Sequence, residues 1–148
     1  MGIEEDIFQP KFRNDYQKAL VNLIFTFNWM NEKLKVMLSR EQVTPQQFNI
    51  LRILRGAGKP ISTLQIRKRM LDKMSDTSRI VDRLIVKQLV EKSVCPTDKR
   101  LVDVSITEKG LSLLQKMDTY EMEMDAILGN LSREEVQQLN SLLDKARE

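Results

Sequence analysis

Arg79, Arg83, Lys99 and Arg100 are the residues of this 148-residue chain whose type and spacing could do chemistry. The hydroxyls of Ser75, Thr77 and Ser78 and the carboxylates of Asp82 and Asp98 stand among them. Guanidinium and ammonium groups interleaved with short hydroxyl side chains offer many N–H and O–H donors. Such a set suits phosphate oxygens and the edges of base pairs. It is a poor set for catalysis. The chain has no His, so the commonest general base and metal ligand is missing. It has no glycine-rich phosphate loop and no nucleophile elbow. Glu121, Glu123 and Asp125 form the densest carboxylate group, but their i, i+2, i+4 spacing spreads them around a helix, as on a solvated face. The expectation is therefore no enzyme: no catalytic residue, no metal and no cofactor.

A helix and a hairpin are needed to present these side chains. Ser75 can cap a helix and Asp76 suits its positive end. Ile80, Val81, Leu84 and Ile85 then recur with helical period on one face. Thr77, Ser78, Arg79, Asp82, Arg83 and Lys87 fall on the opposite face. Beyond it the period changes to two. Ser93-Val94-Cys95 reads as one strand and Leu101 to Ile106 as another, with Val102, Val104 and Ile106 alternating. Pro96 to Arg100 make the tip. Such a helix fits a major groove while a basic hairpin tip reaches the adjacent minor groove.

Upstream, Thr44-Pro45-Gln46-Gln47 and Ser62-Thr63-Leu64-Gln65 are two capping-box starts. The first opens a helix ended by Gly56, Gly58 and Pro60. The second opens a helix with Leu64, Ile66, Met70 and Leu71 on its apolar side. Two short helices and a turn, the second helix polar outside, make a helix-turn-helix. A long helix is predicted from Asp15 to Ser39, after an irregular arm at Phe8–Phe12. Its stripe of Tyr16, Leu20, Leu23, Phe27, Leu34 and Leu38 is wider than one core requires. Thr107 starts a helix expected to reach about Leu128. Ser132 starts the last one, whose apolar face is Val136, Leu139, Leu142 and Leu143. The fold class is thus mainly α with a small β-hairpin. Residues 41–110 form a winged helix-turn-helix lobe; residues 1–40 and 111–148 form a helical dimerisation region. An ordinary core helix is one reading of the long stripe; the favoured one is a homodimer that buries the surplus apolar surface at both ends, with Tyr16, Leu20, Leu23, Leu139, Leu142 and Leu143 in its interface.

Charge agrees with this division. Residues 44–110 carry 14 Lys or Arg against 7 Asp or Glu, whereas 1–43 balance at 6 of each and 111–148 have 4 against 8. A basic middle between neutral and acidic ends is a directed field; a lysine-rich solvated surface reads the charge alone equally well. One Cys excludes an internal disulfide and fits a reducing cytoplasm. No apolar run is long enough for a membrane, and the acidic start MGIEEDIFQP is unlike an export signal.

In order and spacing, Thr44-Pro45-Gln46-Gln47-Phe48, Ser78-Arg79-Ile80-Val81-Asp82-Arg83-Leu84, Asp98-Lys99-Arg100 and Val104-Ser105-Ile106-Thr107-Glu108-Lys109-Gly110 resemble the MarR (multiple antibiotic resistance regulator) family of bacterial transcription factors. The resemblance extends over nearly the whole chain. It implies an obligate dimer on a pseudo-palindromic operator in double-stranded DNA, usually a repressor. It implies Arg100 in the minor groove with Asp98 fixing its side chain, and Thr77, Ser78, Arg79 and Arg83 toward the major groove or its phosphates. Ser62 and Thr63 would meet a phosphate at a helix start. Many relatives release DNA on binding a small aromatic or lipophilic effector; here Phe25, Trp29, Met30, Phe48 and Met117 are the candidate cleft, although each also suits a core. Two departures stand out. Gln88 occupies the position where the family usually has Gly before the wing. The lone Cys95 lies in the wing and reads as a spectator thiol, though Lys92 and Lys99 could lower its pKa. The competing reading is a winged-helix dimer that binds protein and no operator.

Overall fold

Helix α1 (Ile3–Asp6) precedes the predicted arm, and no sequence signal announced it. Four residues are too few to hold a helix by propensity. Contacts support this one: Ile3 is buried and Glu4 pairs with Lys18 of α2 (Asp15–Ser39). A computed structural model describes residues 1–148, in two compact units, Met1–Met37 and Leu38–Glu148. Most of α2 belongs to the first unit. At about 1.5 Å per residue it is roughly 37 Å long, with the bounds its stripe predicted. Tyr16, Leu20, Leu23, Ile24 and Phe27 are all exposed along it, Tyr16 at 84%. Its last turn enters the second unit and closes at Gln42, whose φ is +57°. Gln42 N–H donates to the Ser39 carbonyl (3.0 Å) and Val43 N–H to that of Leu38 (3.4 Å), the paired bonds of a Schellman end.

The second unit holds one core, to which α3 (Pro45–Ala57) supplies Ile50, Leu51 and Leu54. Both halves of its capping box are made: Gln47 N–H to Thr44 Oγ1 at 3.1 Å and Thr44 N–H to Gln47 Oε1 at 3.2 Å. It ends at Gly58 (φ +65°), while Gly56 lies inside its last turn. Strand β1 (Ile61–Ser62) and helix α4 (Thr63–Arg69) follow. Only Ile66 and Met70 of the predicted apolar side of α4 are buried; Leu64 and Leu71 are exposed. Leu64 lies two residues from Ile66, about 200° around the helix, and Leu71 lies past the C-cap Met70. Helix α5 (Thr77–Val86) buries Val81 and Leu84.

The wing is a three-stranded antiparallel sheet in the order β1-β3-β2, not a bare hairpin. Strand β2 (Val90–Val94) starts earlier than Ser93 and stops before Cys95; β3 is Val102–Ile106. Val90 pairs with Ile106, Lys92 with Val104 and Val94 with Val102, and Ile61 adds to β3 opposite Val104. The tip therefore spans Cys95 to Leu101, longer than the five residues expected.

Thr107 Oγ1 accepts from Gly110 N–H (3.1 Å) and caps α6 (Glu108–Asp118), which brings Leu114 and Met117 to the core. A single helix to Leu128 does not form. The chain turns at Thr119-Tyr120, then makes α7 (Glu121–Asp125) and a 3-10 turn (Ala126–Leu128). Two bonds tighten the turn: Thr119 Oγ1 donates to the Lys116 carbonyl (2.6 Å) and Tyr120 N–H to that of Met117 (2.9 Å). Glu41 also holds the Tyr120 hydroxyl (2.7 Å) and the Lys116 ammonium (3.0 Å). Bidentate pairs join Arg40 to Glu123 and Arg55 to Asp118. Helix α8 (Arg133–Lys145) begins with the Ser132–Glu135 capping box and has no buried residue; Leu142 is 57% exposed. No helix is long and apolar enough to cross a membrane.

Candidate nucleic-acid interface

A turn built on Asp72 sets the start of α5. Asp72 Oδ1 accepts from Met74 N–H (3.0 Å), and its carbonyl accepts from Ser75 Oγ (2.5 Å). Asn49 Oδ1 of α3 receives Leu71 N–H (3.0 Å). Asp76, not Ser75, is the N-cap of α5, its carboxylate accepting from Arg79 N–H at 3.2 Å. A carboxylate there also complements the positive helix end. The hydroxyl of Ser75 is engaged in the turn before the helix.

Ser78, Arg79, Asp82 and Arg83 are exposed, as their helical positions required. Asp82 is paired with Lys92 of β2 at 2.6 Å, whereas Arg79 and Arg83 make no ion pair within the chain. Thr77 departs from the expected outer face. It is 4% exposed, and its hydroxyl is buried with no hydrogen-bond partner. Its spacing carried the signal: Thr77 precedes Val81 by four residues and Leu84 by seven, so it shares their inward face. Lys87 is also turned from the outer face, toward Gln42 and Gln47.

Clefts flank the start of α5 on both sides. One of about 490 Å³ is lined by Thr63, Leu64, Arg67 and Met74–Ser78; one of about 300 Å³ is lined in part by Thr44, Gln46, Asp72, Arg79 and Arg83. The outer side of the helix start thus faces open clefts, while Thr77 is buried on its inner side. Ser62 Oγ is already used as a cap, accepting from Gln65 N–H at 3.1 Å, and Thr63 is half-buried beside it.

Asp98 organises the wing tip. Its carbonyl accepts from Leu101 N–H (3.0 Å), and its Oδ1 accepts from both the N–H (3.0 Å) and the Nε (3.3 Å) of Arg100. The Arg100 side chain is 92% exposed. An exposed pair of this kind contributes little to stability; its effect is to narrow where the guanidinium points. Lys99 is exposed beside it. Cys95 is half-buried just past β2. Its thiol sits below its ordinary pKa chiefly because of the Thr97 hydroxyl at 3.2 Å, then the backbone of Thr97 and Asp98, and not because of Lys92 or Lys99.

Gln88 takes a left-handed backbone without being glycine. Its φ is +61°. Gln88 N–H donates to the Ile85 carbonyl (2.8 Å) and Leu89 N–H to that of Leu84 (3.0 Å), so α5 ends in a Schellman motif. The left-handed residue is held by its surroundings.

The proposed effector residues are of two kinds. Phe25 and Trp29 are exposed on α2, with Met30 half-buried and the Lys33 ammonium over the Trp29 ring. In the second unit, Phe48 is half-buried against the core and Met117, 1% exposed, is inside it. Met117 is therefore a packing residue with no open surface for a ligand. Of the suggested interface residues, Tyr16, Leu20, Leu23 and Leu142 are exposed, while Leu139 and Leu143 are half-buried.

A family model described as MarR family matches residues 43–102, from the end of the α2–α3 turn into β3. The HTH-type transcriptional regulator MhqR of Bacillus subtilis is 28% identical over 130 residues, covering 86% of this chain and 88% of the relative. The Multiple antibiotic resistance protein MarR of Salmonella typhimurium is 30% identical over 129 residues, covering 85% and 89%. Among solved structures, the chain is similar to a cysteine-to-serine variant of Escherichia coli MarR complexed with operator DNA. That match has a TM-score of 0.80, 26% identity, and 92% and 99% coverage. A MarR transcription factor from Planctomyces limnophilus matches with a TM-score of 0.68 and 29% identity, covering 90% and 98%.

Proposed function

The chain belongs to the MarR family of transcription regulators, and on that premise we propose that it is a homodimeric, sequence-specific repressor of transcription that binds a pseudo-palindromic operator. One observation carries the reading. Arg79 and Arg83 stand exposed and without ion pairs on the outer face of α5, and the same lobe holds Arg100 out from the wing tip against Asp98. Cations left unpaired within a chain are those free to displace counterions from DNA phosphates. In this reading Ser78, Arg79 and Arg83 enter the major groove and Arg100 the minor groove, where narrow stretches concentrate negative potential. Lys99 adds a phosphate contact. The exposed apolar side chains of α2 and α8 would be covered by a second copy, and two-fold pairing sets recognition helices about 34 Å apart, one turn of DNA. A small aromatic or lipophilic effector is part of the proposal, with Phe25, Trp29 and Met30 as its residues.

The test is a titration against duplex DNA from the protein's own upstream region at several salt concentrations, with random duplex as control. Preference for the upstream DNA with a steep salt slope is expected. No binding to either duplex at low salt would sink the reading and leave a winged-helix dimer that binds protein.

A further inference from the structure

Lys87 sits at the C-cap of the recognition helix, and periodicity puts it on the polar face opposite Val81 and Leu84. The side chain goes the other way. Its ammonium donates to the carbonyl of Gln42, the left-handed residue ending α2, and to Gln47 Oε1 of α3 at 3.0 Å. Gln47 is itself buried, and the same Oε1 already accepts Thr44 N–H (3.2 Å), so both of its acceptor positions are used. The backbone at this point is gripped from the opposite side as well. Lys109 of α6 donates to the Lys87 carbonyl (3.0 Å), Thr107 Oγ1 to the Gln88 carbonyl (2.8 Å), and Thr107 N–H to the Leu89 carbonyl (3.1 Å).

The two ends of α5 are thus unequal. Its start is capped by its own Asp76 and flanked by open clefts. Its end is tied to the α2–α3 turn, to α3 and to the start of α6. Packing of Thr77, Val81 and Leu84 beds one face of the helix from its first turn on, but a helix bedded on one face can still tilt. Ten residues make a lever about 15 Å long. A tilt of about 10° at the anchored end moves the other end by about 2.5 Å, more than a hydrogen bond to a base edge tolerates.

We infer that Lys87 is a positioning residue: it makes no DNA contact, and by clamping the end of α5 to Gln42 and Gln47 it sets where Ser78 and Arg79 fall in the groove. This rests on the DNA-binding reading, and the test separates the two. In Lys87→Met, hydrogen exchange at the Gln88 and Leu89 amides should speed up about tenfold, a local opening that needs no DNA to detect. Affinity for the upstream duplex should fall about tenfold, while random-duplex affinity and the salt slope hold. Lys87→Arg, which keeps a charged donor, should restore both readouts to within about threefold. Lys109→Met, an exposed change at a helix start, tests the same anchor should Lys87→Met fail to fold. Unchanged exchange in a folded variant overturns the anchor whatever the protein does with DNA. An equal loss on both duplexes, with the salt slope flatter by about 0.9, would make Lys87 a phosphate contact and overturn the inference too. If the wild type has no preference for the upstream duplex, the operator reading fails, and the exchange readout still decides the anchor.

Discussion

Arg100 and Gln88 show how single residues divide between function and strain. The Arg100 side chain extends into solvent, held only through Asp98, so it contributes little to the fold. Arg100→Ala should leave the melting temperature within about 2 °C. It should weaken operator binding by about 1–3 kcal/mol and flatten the salt slope by about one unit. Unchanged affinity in the titration would remove the wing from the interface. Gln88 is the reverse case. Its left-handed backbone carries the cost that a Cβ imposes there. Gln88→Gly should therefore raise stability by about 1 kcal/mol, read as a higher denaturant midpoint at constant m-value. The departure from the family's glycine was legible in the sequence. That Gln88 takes a left-handed turn was not, because bonds that hold it come from Thr107 and Lys109, about twenty residues downstream.

Elements were legible where their signals are local. The α3, α4 and α8 starts each carry a full capping box, and all three boxes close. The bounds of α2 followed from its stripe. Errors gathered where tertiary contacts compete with a local signal. Helix α6 stops at Asp118 although its apolar period continues, because the Thr119 hydroxyl takes a helix carbonyl and Glu41 holds Tyr120 from a distant turn. Strand β1 is two residues long and exists only through pairing with β3. Backbone elements approach closely at Gly110 in α6. A Cβ there would sit 2.4 Å from the Leu89 carbonyl oxygen and 2.6 Å from Ile106 Cγ1. Both neighbours are committed, the carbonyl to Thr107 N–H. Gly110→Ala should cost about 3 kcal/mol despite its better helix propensity. Thermal unfolding at or above the wild-type midpoint would show that the wing and α6 can separate without loss.

At the scale of the molecule, a single chain leaves apolar side chains uncovered on α2 and α8. Leu142 is exposed in the chain itself, so a charge there costs the lone chain little. If a second copy covers α8 as proposed, Leu142→Asp should keep its helix content by circular dichroism and sediment at a lower mass than the wild type; an unchanged mass would place the interface elsewhere. Ion pairs of the second unit set the response to pH. The Tyr120 hydroxyl and then Lys116 hold the Glu41 carboxyl below its ordinary range, Arg40 does so for Glu123, and Arg55 for Asp118. These contributions are present above the ordinary carboxylate pKa and fade as pH falls through the lowered values. Glu41 in turn raises Lys116 and Tyr120, whose contributions are complete below their ordinary values and fade as pH rises through the raised ones. The melting temperature should fall as pH drops below about 5 and fall again as it rises above about 10. A midpoint still climbing below pH 4 would contradict these pairs.

The sequence alone determined the starts of α3, α4, α6 and α8, the helix-turn-helix, the exposed cations on α5 and the basic lobe between less basic ends, because capping, periodicity and charge act within a few residues. The inward face of Thr77 was readable from its spacing to Val81 and Leu84, whereas only the tertiary structure decided where Lys87 points. Thr77 turns inward because Val81 and Leu84 carry its face into the core. Lys87 turns away from the outer surface because the α2–α3 turn and α3 each offer it an oxygen from forty or more residues earlier. A carbonyl that far along the chain leaves no local pattern, and a long flexible side chain follows the acceptor it can reach.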